Sequence, residues 1–248
     1  MSWVLAVFQK PSIQHQSVEI PIPIESLEGV EDHDASPTPR PWHITMASIA
    51  LVLVPVFFQA PLVRAFPWVS LMLTLGWLGG AIALIQRKST LEWGDLLLGF
   101  TWTWLAGSIY WGWLRWEPFL HLPIEAIGLP FALWGIRYQQ HKIGHWFYIG
   151  SLLGTAITDL YFYLVNLIPY WRQVMQVSPA EAQLILHQAL LPMRTSWGYG
   201  CAVSLVGMLL VAGCIPLQSK RLHWRAFSGA VLSTLLVDGL FWVAAAIS

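Results

Sequence analysis

Seven stretches of about twenty residues, each nearly free of charge, dominate this sequence and leave it little choice of fold. A helix needs about 20 apolar residues to cross a hydrocarbon core roughly 30 Å thick. Inside that core the backbone must satisfy its own hydrogen bonds, which for stretches of this length means helices. The stretches lie at about 43–63, 66–86, 94–114, 118–136, 145–169, 196–217 and 226–247. The expected fold is all-α, a polytopic transmembrane helical bundle of about seven spans. Six spans with a re-entrant 118–136 segment is the alternative. Pro123 and Pro130 in that segment, and Pro55 in the first span, should each kink or unwind the helix locally.

Charge points the same way. Only 10% of residues are charged, against roughly 25% in an average globular chain. The 13 Lys and Arg are matched by 13 Asp and Glu, so no basic face suggests a nucleic-acid partner. The lipid bilayer is the partner that composition implies. With seven spans, Lys10, Arg40, Arg87, Lys88, Arg137, Lys142, Lys220, Arg221 and Arg225 share one side, against Arg64, Arg115, Arg172 and Arg194 on the other. Basic residues collect on the cytoplasmic side, which puts the N-terminus there.

Two segments differ from the spans. Residues 11–41 are rich in Pro, Ser and acids, and residues 1–41 read as a disordered cytoplasmic tail ahead of a membrane domain at 42–248. Residues 178–193 open with Ser178, Pro179 and Glu181, a capping-box pattern, and carry Leu184, Leu186, Leu190 and Leu191. A short helix lying in the interface is expected there.

Ionisable side chains at membrane depth are costly and mark candidate sites. In the segment 111–130, Glu117, His121 and Glu125 are spaced four apart and would share one helical face. Glu117 caps the helix that starts at Pro118 and is expected to pair with Arg115, while His121 can pass a proton and Glu125 lies deeper. A metal is not expected, because the second Glu-x-x-His of a di-iron bundle is missing. His141 and His145 read as solvated loop residues, and Asp95, at a span end, can reach headgroups or stabilise a helix start. In the segment 154–171, Thr155, Asp159, Tyr163 and Asn166 fall near one stripe. Asp159 must face the bundle interior, and Asp238 in the last span is expected to share a polar cavity with it. Trp104, Trp111 and Trp113, near Gly99, Gly107 and Gly112, either line a groove for a planar or polyene ligand or simply pack helices.

The segments GSIYWGWLRWEPFLHLPIEAIGLPFALWG and GTAITDLYFYLVNLIPYWRQ resemble a family of uncharacterised cyanobacterial integral membrane proteins over about residues 66–247. That resemblance implies a photosynthetic bacterial host, in its thylakoid or plasma membrane, and no activity. Pro123-Ile124-Glu125 is similar to the start of the Pro-x-Glu-Glu/Asp motif of small membrane carotenoid cyclases, with Ala126 in place of the second acid.

Three functional classes remain open. One is a site that binds or modifies a hydrophobic small molecule (an isoprenoid, pigment, quinone or lipid). Glu125, Asp159, Asp238 and His121 would carry its chemistry, and Tyr163, Asn166, Thr155, Trp104, Trp111 and Trp113 would line it. Another is a non-enzymatic scaffold for photosynthetic membrane complexes, and the third is a proton-coupled transporter using Asp159 and Asp238. No motif names a cofactor.

Overall fold

A computed structural model describes residues 39–247, so the expected tail lies outside the described residues as far as residue 38. Among the described residues nine helices follow one another and no strand occurs. Helix α1 spans Pro41–Ala65 and α2 Pro67–Ile85. Helix α3 covers Leu91–Ile109 and runs on through a π turn, Tyr110–Leu114. Helix α4 is the interrupted Pro118–Arg137. Then come α5 Lys142–Leu164, α6 Ile168–Val174, α7 Pro179–Met193, α8 Ser196–Leu217 and α9 Leu222–Ile247.

Proline sets many of these boundaries. Pro41, Pro67, Pro118 and Pro179 each open a helix, where a missing N–H costs nothing. Pro55 sits inside one, and α1 answers with a π turn over Pro55–Gln59, in which Ala60 N–H reaches back to Pro55 O. In α4 the prolines leave no continuous ladder. A 3₁₀ turn at Pro118–Leu120 gives way to an α turn at His121–Glu125, a second 3₁₀ turn at Ala126–Gly128, and a final α segment at Leu129–Arg137. The Tyr148 hydroxyl of α5 ties this broken stretch together, donating to Glu125 O at 2.5 Å and accepting from Gly128 N at 3.0 Å.

Among the described residues five helices are long and apolar enough to cross a membrane: α1, α2, α4, α8 and α9. The bent pair of α5 and α6 makes a sixth if it counts as one span. The third expected span, α3, has the length but less apolar character, and its position explains why. It packs between α2 and α5, and it buries Gly94, Asp95, Gly99, Thr101, Gly107 and Ser108 against protein instead of lipid. The expected 145–169 span is not one continuous helix. Helix α5 stops at Leu164, and the chain turns through 104° into α6. Asn166 adopts a left-handed conformation with φ 58°, and Leu167 N–H closes back on Phe162 O at 2.8 Å. That is a Schellman ending, which favours Asn or Gly at its left-handed position.

The core forms where α3, α5 and α9 lie side by side, with α2 outside α3 and α1 and α8 against α9. Small residues bring the axes close. An added Cβ at Gly99 would lie 2.1 Å from Gly144 O, and one at Gly154 would lie 2.0 Å from Thr234 Oγ1. At the α3–α5 crossing, Asp95 accepts from Ile143 N and Gly144 N, each at 3.0 Å. A carboxylate from one helix thus caps the start of another, where the helix dipole favours negative charge. His141 lies 3.8 Å from Asp95, but His145 is buried on α5 and packs where Gly135 leaves room, so it is no loop residue.

Candidate functional site

The break in α4 points His121 toward the last two turns of α5. Its Nδ1 lies 2.9 Å from Asp159 Oδ1 and 3.1 Å from Oδ2, linking residues 38 apart in sequence. A carboxylate without its proton only accepts, and in that arrangement Nδ1 carries the proton and donates it. Nε2 is then the ring position left to take up or give a proton, and it has no hydrogen-bond partner among the described residues. Asp159 is buried, and the His121 side chain is 13% exposed. Glu125, one turn along α4, lies within electrostatic reach of both.

Aromatic rings enclose the imidazole. Tyr110, at the start of the π turn of α3, lies 4.4 Å away between ring centroids, with Trp171 at 5.6 Å and Trp111 at 5.9 Å. Trp171 reaches this place because α6 folds back, and it stacks on Trp111 while its Nε1 donates to Arg115 O at 2.9 Å. Tyr163 stacks on Phe119 at 5.6 Å along the outer edge and is 38% exposed.

At the mouth of the site, Glu117 accepts from Phe119 N–H as a helix cap. Its ion-pair partner is not Arg115. Arg172 Nη2 donates to Glu117 Oε1 at 2.8 Å and Oε2 at 3.1 Å, while Arg115 Nη1 turns back onto Trp111 O at 3.1 Å. The turn into α6 puts Arg172 there, and its bond holds the Glu117 carboxyl below the usual carboxylate range. Glu117 and His121 face different partners across the 3₁₀ turn at 118–120: Glu117 pairs with Arg172, and His121 meets Asp159 of α5.

On the other side of α5, Thr158 Oγ1 donates to Asp238 Oδ2 at 2.8 Å. Asp238 and Asp159 lie within electrostatic reach of each other, with different hydrogen-bond partners. Thr155 is half-buried one turn before Asp159. Asn166 falls outside the expected stripe, because the helix has ended and its side chain is exposed.

Of the three Trp residues expected to line a ligand, only Trp111 is at this site. Trp113 meets Trp68 edge-on at 5.0 Å. Trp104 is a core residue, packed on Phe100 and Trp77, and its Nε1 donates to Ser70 O at 2.9 Å. The nearby glycines admit protein: Gly107 faces the Gln59 amide, Gly112 faces Pro67 and Val63, and Gly99 faces Gly144.

Gln59 was not foreseen. It is buried at the end of the π turn of α1, and its Nε2 donates to Trp104 O at 2.7 Å and Ser108 Oγ at 2.9 Å. Ser108 Oγ in turn lies 2.8 Å from Ser70 Oγ, so one amide joins α1, α2 and α3. A polar residue inside the apolar run PVFFQAPL was the available signal.

A family model described as a protein of unknown function, DUF3120, matches residues 48–246. No curated protein and no solved structure matches the chain.

Proposed function

We propose that this chain, which belongs to the DUF3120 family of proteins of unknown function, holds a hydrophobic small molecule of the isoprenoid, quinone or pigment kind in the membrane at His121 and exchanges a proton with it. One observation carries the reading: the bond of 2.9 Å between His121 and Asp159. Two helices must be shaped to make it, one broken by proline, and interhelical hydrogen bonds contribute only about 0.6 kcal/mol on average. Packing is a weak reason to keep an acid and an imidazole at that depth.

In this reading Asp159 fixes the ring and its tautomer, Nε2 is the working atom, and Glu125 is the second proton carrier, set in the Pro-Ile-Glu segment. Trp111, Trp171, Tyr110, Phe119 and Tyr163 give the ligand its apolar and aromatic surroundings. Trp104, Trp113 and Asn166 have no part in it. A cyanobacterial thylakoid or plasma membrane, with the start of α1 on the cytoplasmic side, belongs to the proposal through sequence resemblance and the charge bias.

The test is purification from the native membrane in mild detergent, with mass spectrometry of the organic extract. A single hydrophobic molecule at near-equimolar ratio, lost in folded His121→Gln and kept in folded Tyr138→Phe, supports the proposal. The same molecule at the same ratio in His121→Gln refutes it. The proximity of Asp159 and Asp238 on facing helices favours a second reading, proton-coupled transport. Substrate uptake unaffected by Asp159→Asn would reject that reading.

A further inference from the structure

Basic side chains at one end of the bundle converge where α5 begins and where α8 passes into α9. Residues 137–145 and 214–225 contain Arg137, Lys142, Lys220, Arg221 and Arg225 and no acid. Trp146, one turn after Lys142, meets His223 and Trp224, so the starts of α5 and α9 lie together, with Lys142 and Arg221 both within electrostatic reach of the His223 ring. Lys142, Lys220 and Arg221 have no ion-pair partner among the described residues. On α3, Asp95 is committed to Ile143 N, Gly144 N and His141.

The turn that presents these cations is held in shape. Arg225 Nε donates to Ser219 O at 2.8 Å, and Arg221 N donates to Ser219 Oγ at 3.2 Å. Beneath it lies an aromatic floor. Trp146 and Trp224 meet at 4.4 Å between centroids, and His223 lies 5.3 Å from Trp224 and 6.3 Å from Trp146. Tryptophans at the ends of membrane helices settle at headgroup depth. Further along α8, Val211 and Ile215 point outward, 59% and 63% exposed.

We propose that this end of α5 and the α8–α9 turn bind the phosphate of an anionic phospholipid. Lys142, Lys220 and Arg221 supply the charge, Trp146 and Trp224 lie at glycerol level, and an acyl chain runs along Val211 and Ile215. Lys142 is half-buried without a counter-charge among the described residues, and an anion removes that cost. Basic pockets between membrane helices take anionic headgroups for this reason. Val211 and Ile215 lie on the helix that leads into the basic turn and are exposed and apolar, which favours a lipid over a free phosphate ion. The inference is independent of the His121 site.

The test uses the full chain in detergent, stripped of lipid and titrated in turn with phosphatidylglycerol, phosphatidylcholine and inorganic phosphate. Binding is read by native mass spectrometry and thermal unfolding. Phosphatidylglycerol should bind and raise the unfolding temperature well beyond phosphatidylcholine. Replacing Lys142→Gln and Arg221→Gln together should weaken phosphatidylglycerol about 30-fold, at about fivefold per cation. Arg87→Gln, on another loop, should leave it unchanged. Equal binding of the two lipids overturns the proposal, as does full phosphatidylglycerol affinity in a double variant whose circular dichroism is native. Stabilisation by inorganic phosphate equal to that by phosphatidylglycerol overturns the lipid assignment. If the double variant does not fold, the wild-type comparison of the two lipids and Lys142→Gln alone decide.

Discussion

Replacing Gly99 by Ala probes how the two central helices are held. The added Cβ would lie 2.1 Å from Gly144 O and 2.6 Å from Gly144 C and Cα, backbone atoms that cannot swing aside. Ordinary Cβ contact begins at 3.4 Å, so α5 has to retreat by about 1.3 Å. The same retreat carries Ile143 N and Gly144 N from their 3.0 Å contacts with Asp95 out of hydrogen-bond range. Overpacking costs about 1–3 kcal/mol, and weakening bonds to a charged acceptor adds about 1.5–3 kcal/mol. The gain in helix propensity on replacing Gly is about 1 kcal/mol and of opposite sign. The net expectation is a loss of about 2–4 kcal/mol. Reversible unfolding in mixed micelles, followed by tryptophan fluorescence, measures it. Gly79→Ala is the control, since nothing lies within 4 Å of its Cβ, and it should be neutral or slightly stabilising. Equal stability of the two variants would refute the close-crossing argument.

Gln59→Leu should lose about 1–3 kcal/mol in the same assay, because Ser108 and Trp104 O lose a buried donor; no loss would mean that the amide does not join the three helices. The Thr74 hydroxyl is buried with no partner among the described residues, and the carbonyl one turn before it, Ser70 O, already accepts from Trp104. Thr74→Val should therefore be neutral or stabilising by up to about 1 kcal/mol, and a clear destabilisation would show a missing partner. Arg172 holds the Glu117 carboxyl below its usual 4.5, so this pair stabilises the fold above that pH and the contribution fades as pH falls through the lowered value. The unfolding temperature should drop in acid below about pH 4.5, and Glu117→Gln should flatten that drop; superimposable curves would reject the pairing.

Much of the helical order was legible because lipid demands it: apolar runs and opening prolines mark where α1, α2, α8 and α9 begin. Helix α3 shows where a hydropathy argument stops. Its Asp95, Thr101 and Ser108 look like defects in a span until the fold surrounds them with protein. The end of α5 was written in Asn-Leu-Ile-Pro, a left-handed cap followed by proline, but the apolar run through it masked the signal. That one turn also decided the ion pair, since Arg172 reaches Glu117 only after the chain bends. At the site, His121, Glu125, Asp159, Asp238 and Trp111 stood out as costly or bulky groups at depth. Which of them touch is a tertiary fact that spacing along one helix cannot contain. Gln59 escaped because a neutral amide costs less in lipid than a charge and draws less notice, although it holds three helices together.

The central claim is that Asp159 fixes His121 so that Nε2 is the atom that works. Nitrogen NMR of the chain with ¹⁵N-labelled histidine, in lipid, tests it directly, with the His121 signals assigned by their loss in His121→Gln. Nδ1 should stay protonated and hydrogen-bonded across the accessible pH range, and exchange should be confined to Nε2. Asp159→Asn should abolish that pattern. An unprotonated Nδ1 in the wild type, or a spectrum indifferent to Asp159→Asn, would contradict the account.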